Sequence, residues 1–494
     1  MGGDDSRGSP TVSHLSAIVG LKALVGAVVL AGGFRAVSDD DFARVVLAQQ
    51  WALDPKLDPT GTSWLPFPFW LYGSVMTVLG TALDVARGCG FVLGLASAAI
   101  LYAAARLLVD DDREALIGAA LASVLPWSGY LGVATVPELP TAALAVFAVA
   151  TLAKRCPRLR AVGGVALLVA CLSRYEPWTV AIAFSGYTLW DAWRPAEGDG
   201  TIRRGRAWLA AAVSFALLGP LAWMAHNAWT HGSAFHFAAR VSAYARAIGA
   251  KPLSLLEGYP LALLREEPEL CSLAGGVLIA ALLLRQRLPF SFWRTTVVLG
   301  VMLGALSLAA PTGGVPTHHA GRALLALWLV MAIYVGAAAR RILRGPGWGA
   351  SLQSRHYARL LFSAGALTAL ILGATVLRPW YAELDVFTAR RDETAIGKAV
   401  GAKLPPAARV LLETQDFRYF AVQAGSGRPD AFVLDRSVDP RHPIAPSSFR
   451  SRQALDRRLE EVGATHLVGK DRAAPRSFGP LLARAGPWAL WRRY

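Results

Sequence analysis

Three consecutive aspartates, Asp39, Asp40 and Asp41, form the part of the chain best suited to chemistry. They follow the first long apolar run, residues 15–34, and precede the helical pattern FARVVLA. Carboxylates at a membrane surface can act as a general base or hold a divalent cation close to a lipid headgroup. Aspartate is also a good helix cap, so physical reasoning alone leaves catalysis and capping open. One aspartate can cap while another reacts.

Four further ionisable residues lie in short connections between apolar runs, where burial is expensive and function is the first hypothesis. Glu138 stands between prolines in VPELP, and Arg174 and Glu176 stand in SRYEPW. Arg322 begins a late apolar run, and an arginine can bind a lipid phosphate through two parallel hydrogen bonds. The simpler alternatives are a hairpin tip meeting water for Glu138 and mutual pairing of Arg174 with Glu176. For Arg322 the alternative is snorkelling to the headgroups.

Five histidines lie near the same boundaries, and three of them recur at intervals of five residues. That spacing matches no single helical face, so it does not predict a preformed metal triad. Packing at the interface and pairing with a carboxylate from another loop both stay open. We include His319 among the candidates for substrate or lipid-phosphate binding. The sequence assigns no cofactor with certainty, and a divalent metal ion is the one candidate. The five are His226, His231, His236, His318 and His319.

Composition indicates a membrane protein. Of 494 residues, 54% are hydrophobic and only 17% are charged, against about a quarter charged in a soluble protein. The net charge of +16 comes from clusters at the ends of apolar runs and not from one basic face beside base-reading groups, which excludes a nucleic-acid partner. Such clusters mark cytoplasmic loops. The four cysteines lack metal-binding spacing and are interpreted as small core residues.

Apolar runs predict about eleven transmembrane helices, the first of them uncleaved. The segment 66–83, which opens PFPFW, suits a helix in the membrane interface and is left outside the count. With this partition the basic clusters fall on one side of the membrane, and Glu138, SRYEPW and Arg322 fall on the other. The predicted spans are residues 15–34, 88–108, 116–132, 139–153, 161–175, 178–193, 207–225, 270–284, 296–310, 323–339 and 360–377.

Three regions follow from this partition. Residues 1–14 form a cytoplasmic tail, and residues 15–377 form the transmembrane domain, whose outer loop 35–87 carries the aspartates and juxtamembrane helices. Residues 378–494 form a small soluble α/β domain, which an odd number of spans places outside the cytoplasm. Its predicted strands are 409–413, 431–435, 465–469 and 487–491, and its predicted helix is 451–462.

The pattern resembles the GT-C superfamily of membrane glycosyltransferases, which includes protein O-mannosyltransferases and aminoarabinose transferases. In these families one span leads to an outer loop that opens with an acidic pair, and juxtamembrane helices, further spans and often an outer C-terminal domain follow. Asp40 and Asp41, followed by Phe42, occupy the place of the family's Asp-Glu pair. The proline and aromatic segment 66–72 and Glu138 also match family features. The resemblance covers roughly residues 15–377.

The resemblance implies an inverting transfer of a sugar from a polyprenyl-phosphate donor to a hydroxyl of a lipid, glycan or protein acceptor. Asp40 would be the catalytic base, with Asp39 as the alternative because three aspartates blur the register. Arg174 or Arg322, with or without a cation, would stabilise the departing lipid phosphate. The expected location is the bacterial inner membrane, with the active site and the C-terminal domain on the outer side. The lack of a glycine-rich nucleotide loop agrees with a lipid-linked donor.

Two other functions are compatible with a polytopic chain. A transporter or flippase would carry inverted repeats, broken helices and binding groups near the bilayer midplane, whereas here the polar groups cluster at one face. An assembly protein would use its C-terminal domain and need only an anchor, for which about eleven spans are too many. Both rank behind the enzyme.

Overall fold

The structure is a computed structural model that describes residues 10–61, 63–194, 200–249, 254–255, 258–283, 290–312, 320–344, 387–470 and 479–493. Helices make up the part before residue 345, and a five-stranded sheet with its own helices makes up the part after residue 386. The helices of the first part are α1 (Pro10–Ala31), α2 (Asp39–Leu53), α3 (Phe67–Leu79), α4 (Leu83–Leu108), α5 (Asp112–Val124), α6 (Pro126–Leu131), α7 (Glu138–Thr151), α8 (Pro157–Cys171), α9 (Glu176–Trp193), α10 (Gly200–Arg204), α11 (Arg206–His231), α12 (His236–Ala247), α13 (Tyr259–Glu266), α14 (Pro268–Leu283), α15 (Phe290–Ala309) and α16 (Gly321–Arg344).

Within the described ranges, five helices are long and apolar enough to cross a membrane. At 1.5 Å per residue, each spans the roughly 30 Å of a hydrocarbon core. Helices α3, α7 and α14 are also apolar but shorter, and the apolar part of α14 is Pro268–Ile279. The total of about eleven spans stays a prediction, and the last predicted span, residues 360–377, lies outside the described residues. The five are Val12–Ala31, Leu83–Leu108, Arg206–His231, Ser291–Thr312 and Gly321–Arg341.

The predicted span 116–132 is not one helix. The chain forms α5 and α6, which are separated at Leu125, where φ is −52° and ψ is 139°. The break has a local cause, because the ring of Pro126 disfavours helical geometry at the preceding residue. Lys22 of α1 satisfies carbonyl groups beside the break: its Nζ donates to the Ser128 carbonyl oxygen at 2.6 Å and to that of Ser123 at 3.3 Å.

Loop 35–87, which the sequence predicts to lie on the outer side, contains the helices α2 and α3. The prolines at 66 and 68 stand at the start of α3, where a missing N–H costs nothing. With 13 residues, α3 is about 20 Å long, which is short of a full span. Phe42, Val45 and Val46 on one face of α2 pack in a hydrophobic cluster with Tyr72 and Met76 of α3. This packing sets the orientation of α2, the helix that carries the three aspartates.

The part after residue 386, the C-terminal unit, is an α/β unit. Its strands are β1 (Val410–Leu412), β2 (Phe432–Leu434), β3 (His466–Lys470), β4 (Leu481–Ala485) and β5 (Trp488–Arg492), and its helices are α17 (Arg391–Lys403), α18 (Tyr419–Ser426) and α19 (Arg452–Glu461). The sheet has the strand order β2-β1-β3-β5-β4. Strands β2, β1 and β3 are parallel to one another, and β5 is antiparallel to both of its neighbours, β3 and β4. Strands lie at all four predicted positions, and β4, α17 and α18 were not predicted.

Candidate active site

The first turn of α2 separates the three aspartates. Ser38 is fully extended, with φ −160° and ψ −179°, and the helix begins at Asp39. Successive residues of an α-helix point about 100° apart, so three neighbouring side chains cannot share one environment. Each aspartate therefore finds different partners, although the sequence makes them look equivalent.

Asp41 is buried and holds the turn before α2. One carboxylate oxygen accepts from the backbone N–H of Val37 at 3.0 Å and of Ser38 at 3.2 Å. The other accepts from the backbone N–H of Thr135 at 3.1 Å and from its hydroxyl at 3.3 Å. Burial raises the pKa of Asp41 to about 6, against the opposing effects of Arg322 and these backbone donors. One oxygen therefore holds the turn before α2, and the other joins α2 to Thr135 in the loop before α7.

Asp39 pairs with an arginine of the C-terminal unit. The Arg390 guanidinium donates from Nε and Nη2 to the two oxygens of Asp39, each at 2.8 Å. This is the two-pronged geometry that makes arginine–carboxylate pairs both strong and specific.

Asp40 is the most accessible of the three. Its side chain is 46% exposed, and Oδ2 accepts from Nη1 of Arg322 at 3.3 Å. We find no second hydrogen-bond partner for this carboxylate among the residues that the structure describes. Of the three aspartates, Asp40 alone combines solvent access with an uncommitted oxygen.

Glu138 joins the two candidate phosphate-binding arginines. It is the first residue of α7, where a negative charge interacts favourably with the helix dipole. Its Oε1 accepts from Nε of Arg322 at 2.8 Å and from Nη1 of Arg174. The Glu138 side chain has no exposed surface, and both arginine side chains are largely buried. One carboxylate therefore balances two guanidinium groups in a buried setting.

Arg174 also pairs with Glu176, as the simpler alternative predicts. Nε of Arg174 lies 3.0 Å from one Glu176 oxygen and 3.2 Å from the other. The pair closes the turn between α8 and α9, and Pro177 follows Glu176 in the first turn of α9. Asp40, Glu138 and Glu176 thus form one continuous charge network with Arg174 and Arg322, built from side chains of α2, α7, α9 and α16 and of the turn before α9.

Arg44 belongs to this network but was not predicted. It lies four residues after Asp40, on the same face of α2, and the spacing alone could have indicated this proximity. Its guanidinium stacks over the Trp64 ring, 4.6 Å from the centroid, and only 8% of the residue is exposed. Nε and Nη1 have no hydrogen-bond partner within the described structure. Burial lowers the pKa of Arg44, and the nearby Glu138 and Asp40 oppose that effect.

The three candidate histidines that the structure describes each stack on another ring. His226 stacks on Trp223, and its Nε2 lies 3.6 Å from an oxygen of Asp58. His231 and His236 stack on each other with centroids 4.1 Å apart. His318 and His319 lie outside the described residues. Among the residues that are described, no group of three or more His, Cys, Asp or Glu side chains is arranged to hold a metal ion.

Two acids that the sequence analysis did not single out are the partly buried Glu266 and the buried Glu267. Glu266 accepts from the backbone N–H of Gly321, the residue before Arg322, at 3.2 Å. Glu267 accepts from the backbone N–H of Trp127 in α6, also at 3.2 Å. Burial raises the pKa of Glu266 to about 7 and that of Glu267 to about 8, with the neighbouring Glu269 adding to the effect on Glu267. Both acids hold the ends of other helices through backbone contacts.

These raised pKa values predict that stability falls as the pH rises. An unfolded glutamate titrates near pH 4.3, so between about pH 5 and pH 8 the native state binds more protons than the unfolded state. The thermal midpoint of the detergent-solubilised protein should therefore decrease across this window, and Glu267→Gln should flatten the decrease. Glu461→Gln, which removes a half-exposed acid of α19, is the matched control. An identical pH slope in the native chain and Glu267→Gln would contradict the assignment.

The chain is similar to known proteins in part of its sequence and in its fold. Residues 60–223 match the family model described as dolichyl-phosphate-mannose-protein mannosyltransferase. No curated protein matches the chain by sequence. ArnT from Cupriavidus metallidurans, bound to undecaprenyl phosphate, has a similar structure, with a TM-score of 0.60, 14% identity and coverage of 96% of this chain and 97% of that one. Its apo state matches with a TM-score of 0.55 at the same identity, covering 96% and 98%.

A third similar structure is the archaeal oligosaccharyltransferase AglB from Archaeoglobus fulgidus, in complex with an inhibitory peptide and a dolichol-phosphate. Its TM-score is 0.51 at 14% identity, over 92% of this chain and 69% of that one. At these identities the likeness concerns the fold, and the family model adds the sequence pattern of residues 60–223. The chain is an integral membrane protein with the fold of the GT-C glycosyltransferases, the superfamily that its sequence resembles.

Proposed function

We propose that this protein transfers a sugar from a polyprenyl-phosphate donor to an acceptor hydroxyl, with inversion at the anomeric carbon and with Asp40 as the general base. The observation that carries the proposal is one half-exposed carboxylate, Asp40, beside the largely buried arginines 44, 174 and 322. An inverting transfer to an alcohol requires a proton acceptor and a cationic site for the departing phosphate, and both are within one network here.

Asp40 is the best base of the three aspartates because of what its neighbours do. Asp41 uses both oxygens to hold backbone and hydroxyl groups, and Asp39 gives both oxygens to Arg390. Either would have to break native contacts to accept a proton. The acceptor oxygen would attack the anomeric carbon while its proton passes to Asp40, and the bond between that carbon and the phosphate oxygen would break with its electron pair leaving on the phosphate.

The arginines suit the leaving group. A phosphodiester donor carries one negative charge, and the released polyprenyl phosphate carries up to two, so negative charge develops as the bond breaks. Arg44 has two unpaired donor nitrogens and lies one turn from Asp40, which makes it the first candidate for new hydrogen bonds to that phosphate. Arg322 and Arg174 add fixed positive charge, and Glu138 holds them in place. Prepositioned charges of this kind stabilise the transition state without reorganisation.

A lipid-linked donor is supported by the ligands named with the similar structures, which are undecaprenyl phosphate for ArnT and dolichol-phosphate for AglB. We place the reaction on the outer face of a bacterial inner membrane, as the distribution of basic clusters predicts. The acceptor is a lipid, glycan or protein hydroxyl reaching the network from water.

The first experiment tests the donor class. Purified protein in proteoliposomes is incubated with a panel of polyprenyl-phosphate sugars and with lipid, glycan and protein fractions as acceptors, and free polyprenyl phosphate is measured. We expect transfer of sugar to an acceptor, with release of polyprenyl phosphate, from at least one lipid-linked donor. The same sugars linked to nucleotides should give no transferred sugar and no released nucleotide. Magnetic resonance of the product should show an inverted anomeric centre.

Two results would overturn the proposal. Sugar transfer with release of nucleotide, from nucleotide sugars alone, would assign a different donor class. Movement of the lipid-linked sugar across the bilayer with its phosphate bond intact would instead identify a flippase.

A further inference from the structure

A strained residue marks the junction between the C-terminal unit and α2. Arg390, immediately before α17, has φ 45° and ψ 42° and is the one non-glycine residue with positive φ in the described part of the chain. The left-handed conformation costs an L-residue about 1–2 kcal/mol. Such strain persists where the surrounding contacts compensate for it, and it concentrates at functional sites.

The side chain of Arg390 and the backbone just before it both contact the start of α2. Its guanidinium makes the two-pronged pair with Asp39, and both side chains are about one quarter exposed or less. Two residues earlier, the backbone N–H of Thr388 donates to the carbonyl of Ala36 at 3.2 Å. Segment 388–390 therefore contacts both sides of the turn that precedes Asp40.

The far end of α2 is held by the same unit. Gln49, which is fully buried, donates through Nε2 to the carbonyl of Ala424 in α18 at 2.9 Å and to that of Thr81 at 2.8 Å. Ala421 and Ala424 share a hydrophobic cluster with Phe42 and Val45 of α2. About ten residues, or 15 Å of helix, separate this contact from the one at Asp39. The C-terminal unit thus fixes both the position and the rotation of α2.

We propose that the C-terminal unit is part of the catalytic apparatus, and that Arg390 is a positioning residue that orients Asp40 by binding the neighbouring Asp39 through two hydrogen bonds. The inference rests on the proposed transferase function. Asp40 is the next residue along the helix, and its carboxylate lies 3.3 Å from Arg322 across the network. A small rotation of the first turn of α2 would move the carboxylate away from the acceptor. Misplacement of a reacting group by about 1 Å can cost roughly 100-fold in rate.

The chain offers a matched control pair. Lys398 of α17 lies 3.0 Å from Asp84 at the start of α4, so it also joins the C-terminal unit to the helical part, but both side chains are more than half exposed. Exposed single-contact pairs contribute little stability, typically less than about 1 kcal/mol. If Asp39–Arg390 were one more surface pair, the two pairs would behave alike.

The test uses the full chain in proteoliposomes. Asp39→Asn, Arg390→Gln and the double variant are compared with Asp84→Asn and Lys398→Gln, measuring kcat, the KM of each substrate and the thermal midpoint. We expect each single variant at 39 or 390 to lower kcat by about 10- to 100-fold with little change in donor KM. The double variant should be no slower than the slower single variant, because both remove the same contact. The control variants should stay within about twofold of the native kcat.

Hydrogen–deuterium exchange of the peptide covering residues 36–46 gives a readout that does not need activity. Arg390→Gln should increase exchange in this peptide, and Lys398→Gln should not. Unchanged exchange, additive effects on kcat, or a lower thermal midpoint with native kcat would overturn the positioning role. Increased exchange in a chain whose native form transfers no sugar from any donor would instead overturn the proposed function and leave the coupling of the C-terminal unit to α2 established.

Discussion

Asp40→Asn is expected to reduce sugar transfer by about 10²–10⁴-fold while the protein folds and binds donor as before. Asparagine keeps the shape of the side chain and can still accept the contact from Arg322, but it cannot take a proton from the acceptor. The loss should therefore appear in kcat, with donor affinity nearly unchanged, because the donor phosphate is assigned to arginines and not to Asp40. Release of polyprenyl phosphate and donor binding, measured on the same preparation, give the two quantities.

Asp54→Asn is the matched control, because Asp54 closes the other end of α2 and pairs only with the exposed Lys56, at 2.6 Å, among the described residues. It should leave kcat unchanged. Asp41→Asn should differ from both, since the buried carboxylate accepts four hydrogen bonds and its loss should lower the thermal midpoint. Native transfer by Asp40→Asn would remove Asp40 as the base and return the assignment to its neighbours.

Glu138→Gln is expected to destabilise the folded protein by about 3–5 kcal/mol and to lower transfer with it. The Glu138 carboxylate has no exposed surface and is shared by Arg174 and Arg322. Removing one partner of a buried ion pair leaves uncompensated charge in a medium of low dielectric constant, and that is the costly case. Denaturant and thermal unfolding of the detergent-solubilised variant measure the loss.

A second substitution separates charge imbalance from packing. Adding Arg322→Gln to Glu138→Gln removes one of the stranded cations and should recover part of the lost stability, although not the activity. Glu460→Gln, at an exposed carboxylate of α19 that lies near Arg493, should change neither quantity. A Glu138→Gln variant as stable as the native chain would show that the two arginines do not depend on this carboxylate.

Features that depend on local sequence were predictable. Runs of apolar residues indicate membrane helices because each span must be apolar along its own length to lie in lipid. Prolines with aromatic residues indicated that α3 is a separate helix. The strands at 409–413 and 465–469 are short apolar runs bounded by turn residues, and the structure forms both. The break at Leu125 was missed because the length of the apolar run outweighed the one proline within it.

The acidic motif shows what one sequence can and cannot determine. Spacing alone placed three carboxylates at the start of a helix just beyond the first span, and the resemblance to GT-C enzymes implies a catalytic role for them. Their separate environments depend on partners that are 94, 282 and 351 residues away, namely Thr135, Arg322 and Arg390. No local pattern encodes which distant donor will meet which neighbouring aspartate.

By itself the sequence determined that this is a helical membrane protein with an α/β unit at its end, because apolar periodicity and proline positions act over a few residues. Tertiary structure alone decided that Glu138 binds Arg174 and Arg322, which are 36 and 184 residues away. It also decided that Asp40 keeps an accessible oxygen and that the C-terminal unit holds α2. These outcomes are set by how whole helices pack, because buried charges require partners and packing determines which ones come within reach.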